Sequence, residues 1–429
     1  MPIRPRTLPD PAGALPLLPG MVLAGGLARL GVAALGSHLP LVAGFALWSA
    51  GVVAAAWMAC GREGARLMAA AGGLAAGGLL VARGTQPEQV ATQALLWLGS
   101  SGLALVATAV PWRRLARYPR TAGLASLVLL VLPLAVGVEA GGARAWLRWG
   151  VLHFQPAEVA RVLAILFVAG LLAEGVGRGG RGSPAAGIER PWRPDRAAML
   201  PAGAGWLLLA AVLVAQRDLG GAALLYGLLP AAWLLAGGRW LTAAAAVGLG
   251  AAGAVGLATL FHHATARVAA WADPWGQLST GGYQVLQGLA SLRLGGLWGV
   301  GARLTAGSAV PAAATDLPLA VIAEGAGLVA VLGILYLEWW IVDGGLRAAG
   351  RAQDLLTRVL TGSAALLWGL ETLVPVAGWL GVVPLTGLPL PLVSRGGTAL
   401  LAHGILLGWM LWALRAGRGR RRPSGACEA

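Results

Sequence analysis

Apolar segments of about 20 residues, separated by short stretches rich in arginine, proline or glycine, run through most of this sequence. An α-helix of about 20 residues spans the hydrocarbon core of a bilayer. The chain is 57% hydrophobic and only 11% charged over 429 residues, which excludes an ordinary soluble domain. The pattern predicts an all-α integral membrane protein, a polytopic bundle of about 12 transmembrane helices. The segments lie near residues 17–36, 40–60, 66–83, 91–111, 121–138, 157–176, 198–215, 219–237, 240–261, 317–342, 357–378 and 396–414.

The arginines predict how these helices are oriented. All 32 basic side chains are arginine, and with a cytoplasmic N-terminus 22 of them fall in cytoplasmic loops and tails and eight on the opposite side. This bias follows the positive-inside rule and supports an even number of spans with both termini cytoplasmic. The net charge of +15 therefore reflects topology in a lipid membrane. No nucleic-acid partner is expected, because the arginines are not gathered on one soluble face.

The chain ends, the cysteines and the histidines give little further information about function. Residues 1–20 contain no small-residue cleavage site after a short apolar core, so we interpret them as a cytoplasmic lead into the first span. Cys60 and Cys427 show neither a disulfide framework nor a metal cluster. His262 and His263 are adjacent and lack the partners of a ligand set. The segment 177–197, rich in glycine, proline and arginine, is predicted to be a mobile cytoplasmic connection.

Charged side chains concentrate between residues 267 and 327, on the side opposite to the termini. This stretch contains Asp273, Asp316 and Glu324 together with Arg267, Arg293 and Arg303. The other arginines predicted on this side are Arg83, Arg144, Arg148, Arg217 and Arg395. Carboxylates at a membrane boundary are costly, and their default interpretation is functional. We expect several outer loops to converge on one polar, anion-binding site, the alternative being that single arginines merely snorkel to the interface.

Four short motifs, in this order and spacing, resemble a known family. They are FQPAEVAR at 154–161, QRDLGGA at 216–222, GYQVLQGLASLRLGGLWGVG at 282–301 leading into TDLPLAVIAEGAGLVA at 315–330, and PLTGLPLPLVSRGGTALL at 384–401. Together they resemble the SEDS family (shape, elongation, division and sporulation) of FtsW/RodA/SpoVE-like proteins, over residues 74–412. The last motif is the most specific, because the family pattern of Pro-Val-Thr-Gly, Leu-Pro and Ser-Tyr-Gly-Gly-Ser is almost intact.

The resemblance implies an organisation and an activity. A ten-helix SEDS-like core would occupy residues 63–414, with a large extracytoplasmic loop at about 262–316. Residues 1–62 would be an added pair of transmembrane helices, and residues 415–429 a basic cytoplasmic tail. The implied activity is that of a peptidoglycan glycosyltransferase, which polymerises lipid II into glycan strands at the outer face of the bacterial cytoplasmic membrane for cell shape, division or sporulation.

Asp316 is the implied catalytic residue, because Thr315-Asp316-Leu317 matches the family's Thr-Asp-Phe motif. A carboxylate at the outer mouth of a span can accept a proton from a sugar 4-hydroxyl as that oxygen attacks the donor anomeric carbon. Partial desolvation would raise its pKa toward a useful range. The resemblance thus implies a single inverting displacement. The chain departs from the family pattern at Ala314, Gly325, Pro375 and Arg395.

The leaving diphosphate requires positive charge. Forked guanidinium groups suit its oxygens, and a divalent cation, Mg²⁺ or Mn²⁺, held by the diphosphate and by Asp273 or Asp218 is the open alternative. Glu158 and Arg161 match a Glu and a Lys of the family, and either contact substrate or form a buried ion pair between helices. The residues expected to contact substrate are Arg144, Glu158, Arg161, Arg217, Asp218, Arg267, Asp273, Gln284, Arg293, Gly296, Glu324, Ser394, Arg395, Gly396 and Gly397.

Two other functions stay open at this point. A flippase for lipid II would also use intramembrane acids, but most acids here collect at the outer face, which favours the polymerase. The partners that the polymerase implies are lipid II and an undecaprenyl-diphosphate-linked glycan. A structural scaffold for division partners would leave Asp316 unexplained. The resemblance also implies a protein partner, a class B penicillin-binding protein that cross-links the new strand as a transpeptidase.

Overall fold

The computed structural model of the protein describes residues 39–140, 142–150, 152–179, 196–301, 310 and 312–419. The predicted span at 17–36, most of the segment 177–197, Arg303 and the last ten residues of the tail lie outside these ranges. The described chain is mainly helical. Its α-helices are α1 (Leu39–Thr85), α2 (Val90–Ala107), α3 (Trp112–Leu115), α4 (Pro119–Val136), α5 (Pro156–Gly179), α6 (Arg196–Ala215), α7 (Leu219–Leu235), α8 (Trp240–Leu260), α9 (His262–Ala272), α10 (Tyr283–Gly295), α11 (Pro318–Gly350), α12 (Leu355–Trp379) and α13 (Gly397–Gly419).

Eight of the described helices are long and apolar enough to cross a membrane, and two further apolar stretches, Met199–Ala215 and Leu219–Leu235, are shorter. Every predicted segment from 40–60 onward falls on a helix. The prediction of a polytopic, all-α membrane protein is therefore confirmed. The sequence did not indicate a small antiparallel sheet between α4 and α5, formed by β1 (Val138–Ala140), β2 (Ala143–Trp149) and β3 (Leu152–Phe154) in that order.

Helix α1 consists of two spans joined at Gly61. A straight helix of its 47 residues would be about 70 Å long, far more than the thickness of a bilayer. Gly61 interrupts the helix with φ 79° and ψ −165°, a conformation that only glycine adopts without strain. The two limbs pack together, since a methyl group on Gly72 would lie 3.8 Å from Ser49 Cβ. The predicted spans 40–60 and 66–83 are these limbs.

Helix α13 lies at the centre of the bundle, in contact with α1, α2, α5, α11 and α12. Two glycines spaced by four bring it close to α2. A methyl group on Gly404 would lie 2.4 Å from the Ser100 carbonyl oxygen, and one on Gly408 would lie 2.4 Å from Ala107 Cβ. The Ser100 hydroxyl also donates to the Leu400 carbonyl at 2.6 Å. Small residues at this spacing let the two helices approach closely in a membrane, and they hold the start of α13 beside α2.

Helix α11 is broken at Gly327, where φ is 82° and ψ is 176°, and the glycine-rich run before it docks onto the break. Four backbone hydrogen bonds join the two segments: Val300 N to Glu324 O, Gly301 N to Gly325 O, Leu328 N to Gly296 O, and Val329 N to Leu297 O. Helix ends within a membrane need such partners because lipid offers none. The glycine-rich run, residues 295–301, therefore completes a discontinuous helix.

Alanine at Gly299 is expected to destabilise the fold by about 2–4 kcal/mol, because overpacking adds to backbone strain. A methyl group there would lie 2.2 Å from the Gly325 carbonyl oxygen, and φ is +78°. Gly296→Ala is the matched control, since φ is +54° but its methyl group would meet nothing within 4 Å. Unfolding of both variants in detergent micelles measures the difference. Equal losses would show that the close approach at Gly299 is not what requires glycine.

The region predicted as a large loop, residues 262–316, contains the helices α9 and α10. Helix α10 buries Val285, Gly288 and Ser291 at helical spacing, and it packs against α11. The Trp379 indole N–H at the end of α12 donates to the Gly288 carbonyl at 2.8 Å. A 13-residue helix is too short to span a bilayer, so α10 lies on the bundle as a cover for α11.

Candidate active site

Asp316 lies in a turn just before α11, and the segment between α12 and α13 holds this turn in place. The Ser394 hydroxyl donates to the Thr315 carbonyl at 2.6 Å. The Arg395 amide donates to the Ala314 carbonyl at 2.8 Å. Ser394 and Arg395, which the sequence predicts to contact substrate, thus bind the backbone next to Asp316. We call this end of the bundle, where α11 and α13 begin, the Asp316 end.

The Asp316 carboxylate and the Arg267 guanidinium border one small space beside Gly387. A methyl group on Gly387 would lie 3.3 Å from Asp316 Oδ2 and 3.6 Å from Arg267 Nη2. The Arg267 Nη1–H donates to the Thr386 carbonyl at 2.7 Å, which ties α9 to the segment after α12. Asp316 is half-buried and Arg267 is exposed. Hence a carboxylate and a guanidinium meet at an accessible surface where glycine leaves room.

The environment of Asp316 changes its acidity. Burial raises the pKa of Asp316 above the usual value for aspartate, and the Thr315 side chain and the positive charge of Arg267 act in the opposite direction. A raised pKa makes the carboxylate a stronger proton acceptor, while Arg267 favours the ionised form that acceptance requires. These properties suit a general base.

The motif QRDLGGA borders the same region through the start of α7. Asp218 begins this helix by accepting a hydrogen bond from the Gly221 amide at 2.8 Å. A methyl group on Gly220 would lie 3.4 Å from the Thr386 carbonyl oxygen, the group that Arg267 also contacts. The structure therefore brings the second and fourth sequence motifs together next to Asp316.

Two predicted arginines lie on either side of a contact between the sheet and the α6–α7 turn. The Arg144 amide on β2 donates to the Gln216 carbonyl at 3.0 Å, and the Arg144 side chain donates to the Gly137 carbonyl. Arg217 follows Gln216 with a φ of 63°, a left-handed conformation unusual for arginine. Both side chains are exposed. They add positive charge to the Asp316 end.

Three predicted residues lie on α9 and α10. Asp273 follows α9, is exposed, and accepts a hydrogen bond from the Gly276 amide at 3.0 Å. Gln284 lies in the first turn of α10, and exposed Arg293 in its last. Among the contacts of the described residues, none joins Asp273 or Arg293 to Asp316.

Four other predicted residues belong to the helices that frame the site. Gly296 and buried Glu324 take part in the backbone contacts at the break of α11. Gly396 and Gly397 lie at the start of α13, where a methyl group on Gly397 would lie 3.7 Å from the Leu96 side chain of α2. Their described contacts are with the protein's own helices.

Glu158 and Arg161 lie inside the bundle, in a buried charge network that also includes Glu371 of α12 and His403 of α13. Arg161 forms ion pairs with both glutamates, and the His403 Nε2 lies 2.9 Å from the second Glu371 oxygen. The other ring nitrogen of His403 lies 2.6 Å from the Ala399 carbonyl. Two acceptors around the ring fit a protonated imidazole, which gives the network two negative and two positive charges.

The sequence analysis missed Glu371 and His403. Each is an ionisable residue within an otherwise apolar span, the pattern that marks a buried polar network. Glu338 is a third ionisable residue within an apolar span, and its carboxylate accepts a hydrogen bond from the Trp368 indole N–H. Trp368 in turn packs edge-on against the His403 ring, with 5.0 Å between ring centroids. These residues lock α12 and α13 to their neighbours beneath the Asp316 end.

A metal ion would find few protein ligands in this region. Among the described residues, no three His, Cys, Asp or Glu side chains come together as a ligand set. Mg²⁺ commonly keeps waters and binds through one or two carboxylates plus the substrate's phosphates. Asp316, beside Gly387, and Asp218, two residues before Gly220, are carboxylates in this region that could serve in that way.

Comparison with known proteins agrees with this architecture. The family model FtsW/RodA/SpoVE, described as cell cycle protein, matches residues 81–418. The chain is 34% identical over 340 residues to the peptidoglycan glycosyltransferase RodA of Mycobacterium tuberculosis, covering 78% of this chain and 71% of that protein. It is 30% identical to the probable peptidoglycan glycosyltransferase FtsW of Escherichia coli, covering 70% of each.

Solved structures also resemble this chain. A chain of a peptidoglycan synthase complex that coordinates polymerization and crosslinking superposes with a TM-score of 0.64 at 28% identity, covering 83% of this chain and 98% of that one. The rod shape determining protein RodA of Thermus thermophilus superposes with a TM-score of 0.57 at 27% identity, covering 81% and 95%. On the family match, the sequence identity and the shared fold, this chain belongs to the FtsW/RodA/SpoVE family of polytopic membrane proteins.

Proposed function

We propose that this protein is a peptidoglycan glycosyltransferase that polymerises lipid II at the outer face of the bacterial cytoplasmic membrane. The observation that carries the proposal is the half-buried Asp316 carboxylate beside the exposed Arg267 guanidinium, in an open space next to Gly387. The reaction class is supported by the names of relatives of this chain, which are called peptidoglycan glycosyltransferase or probable peptidoglycan glycosyltransferase. Both termini are cytoplasmic in this proposal, since the arginine-rich connections lie at the opposite end of the bundle.

The proposed step is one inverting displacement. The 4-hydroxyl oxygen of the acceptor sugar attacks the donor anomeric carbon, and the bond from that carbon to the diphosphate oxygen breaks. Asp316 takes the hydroxyl proton, and the diphosphate leaves with the electron pair of the broken bond. Arg267, within 4 Å of the same point as Asp316, stabilises the charge that develops on the leaving group. Arg217 and Arg144 attract the anionic substrate from the rim.

A divalent cation could share the charge stabilisation. The diphosphate would supply most of its oxygen ligands, with Asp218 at the start of α7, or Asp273, as the protein carboxylate. A class B penicillin-binding protein is the proposed partner, supported by the similarity to a chain of a synthase complex that couples polymerization to crosslinking. Such a partner would cross-link the strand as it emerges at the Asp316 end.

The test is glycan synthesis by purified protein from labelled lipid II, with and without Mg²⁺ and with the cognate transpeptidase added. Polymer is expected, and EDTA should abolish it only if a cation carries the leaving-group charge. The same preparation in vesicles should not move lipid II between leaflets faster than protein-free vesicles do. Lipid II movement without polymer would overturn the proposal in favour of a flippase.

Arg267→Gln is expected to move the acidic limb of the pH–rate profile to higher pH. A general base works when ionised, so the rate rises with pH through the pKa of Asp316, which burial already raises. Removing the Arg267 charge takes away a contribution that lowers this pKa, so the limb moves upward. Arg148→Gln, an equal charge change at an exposed residue of β2, is the control. Identical limbs in both variants would show that Arg267 does not act on Asp316.

A further inference from the structure

A second charged cavity lies at the end of the bundle opposite to Asp316. It forms where the turn of α1 at Gly61 meets α3 and the ends of α11, α12 and α13. Its volume is about 310 Å³, at the lower end of the range for ligand sites. The charged residues lining it are Arg62, Glu63, Arg113, Arg351, Asp354 and Arg418. We call it the arginine cavity.

The two acids of the arginine cavity are already satisfied. Both oxygens of Glu63 accept from Arg351 at 2.7 Å. Asp354 accepts from Arg113 at 2.8 Å and caps α12 through the Thr357 amide. These pairs close the cavity walls and leave two further arginines as excess positive charge.

The excess charge belongs to Arg62 and Arg418. Neither forms an ion pair with an acid in the part of the chain that the structure describes. Arg418 lies over the turn of α1, where a methyl group on Gly61 would be 2.8 Å from its Nη1. Two guanidinium groups at the wall of one cavity, with no counter-charge among the described residues, favour an anion with several oxygens.

The surroundings of the cavity indicate where the anion comes from. Arg418 Nη1–H donates to the Trp57 carbonyl at 3.3 Å, one turn before Gly61. Among the described residues, Trp57 and Met58 are 58% and 70% exposed, as apolar side chains of a spanning helix that face lipid are. The cavity therefore opens next to the zone where phospholipid head groups lie. Basic pockets between the ends of transmembrane helices are suited to such head groups.

From the excess charge, the cavity and its position we propose that the arginine cavity binds the phosphate of an anionic phospholipid. Arg62 and Arg418 hold the phosphate oxygens, and the acyl chains lie along Trp57 and Met58. The bound phosphate cross-links the turn of α1 to the C-terminal end of α13, so it stabilises the packing of these two helices. The site is separate from Asp316 and does not depend on the proposed reaction.

The test uses the purified full-length protein, delipidated and returned to nanodiscs of phosphatidylcholine with or without phosphatidylglycerol. Bound phosphatidylglycerol is counted by native mass spectrometry, and thermal unfolding is followed in parallel. Wild type should retain phosphatidylglycerol and unfold at higher temperature in its presence. Arg62→Gln with Arg418→Gln should weaken retention by about tenfold or more, since charge-assisted bonds to phosphate are lost.

The matched control is Arg114→Gln with Arg117→Gln, the same charge change at two exposed arginines that do not line the cavity. It should bind phosphatidylglycerol as wild type does. Arg62→Lys with Arg418→Lys keeps the charge and should bind with intermediate affinity, which separates binding from folding defects. Equal retention by wild type and the glutamine pair, or equal stabilisation by phosphatidylcholine, would overturn the proposal. Displacement by millimolar inorganic phosphate would identify a soluble phosphate, not a lipid, as the ligand.

Discussion

Asparagine in place of Asp316 is expected to lower glycan synthesis by about 10²–10⁴-fold, the usual contribution of a positioned general base. The amide keeps the size and most hydrogen-bonding geometry of the carboxylate but cannot accept the hydroxyl proton. The turn that carries Asp316 is held by Ser394 and Arg395 through backbone carbonyls, so it should survive the change. Lipid II polymerisation by purified protein is the measurement.

Asp343→Asn is the matched control for this experiment. It makes the same chemical change near the opposite end of the bundle, where Asp343 pairs with Arg347 one turn along α11. We expect wild-type synthesis from it. A folded Asp316→Asn protein that still polymerises at the wild-type rate would remove Asp316 from the reaction, and Asp218, at the start of α7, would become the carboxylate to examine next.

The helices could be predicted from the sequence because long apolar segments identify the parts of a chain that cross a membrane. A run of about 20 apolar residues has one stable solution in a bilayer, so the spans from 40–60 onward coincide with helices. Hydropathy also marked the charged stretch that contains Asp316, because carboxylates at a membrane boundary are costly. The resemblance of Thr315-Asp316-Leu317 to a family motif then selected Asp316 from that stretch. Hydropathy cannot, however, show how a loop packs against the helices, so it did not predict α10 within the loop at 262–316.

The break in α11 shows what sequence could not supply. The glycine-rich run and Gly327 are both visible in the sequence, but they are related by a set of backbone hydrogen bonds between residues 24 or 32 positions apart. Gly295 cannot carry a side chain, because a methyl group would lie 1.8 Å from the Ala323 carbonyl oxygen. In sequence such a run indicates only a tight turn, whereas the structure shows a closely packed contact between two segments.

Ser394 illustrates the same limit at the candidate site. The motif that contains it predicts a substrate contact, and the structure shows that its hydroxyl donates to the Thr315 carbonyl. A serine that holds a backbone turn and a serine that touches a sugar look alike in sequence. The buried pair of Glu371 and His403 was hidden differently, because two lone ionisable residues 32 positions apart reveal their contact only when α12 and α13 pack.

Leucine in place of Arg161 is expected to destabilise the protein by about 3–5 kcal/mol, the usual cost of breaking a buried ion pair from one side. Arg161 neutralises both Glu158 and Glu371, and all three side chains are at most 3% exposed. Without it, two carboxylates face each other with only His403 as counter-charge. Unfolding in mixed micelles measures the loss. Arg117→Leu, at an exposed arginine, should stay within about 0.5 kcal/mol of wild type.

The cause of this loss can be separated into charge and packing by a triple variant. Arg161→Leu combined with Glu158→Gln and Glu371→Gln removes the unpaired carboxylates, and a neutral His403 can keep its Nδ1–H on the Ala399 carbonyl while its Nε2 accepts from the amide N–H introduced at position 371. Because the net charge of the network is then zero, as in wild type, the triple variant should recover at least about half of the lost stability. If it unfolds as readily as Arg161→Leu alone, the packing of the Arg161 side chain, and not its charge, holds α5, α12 and α13 together.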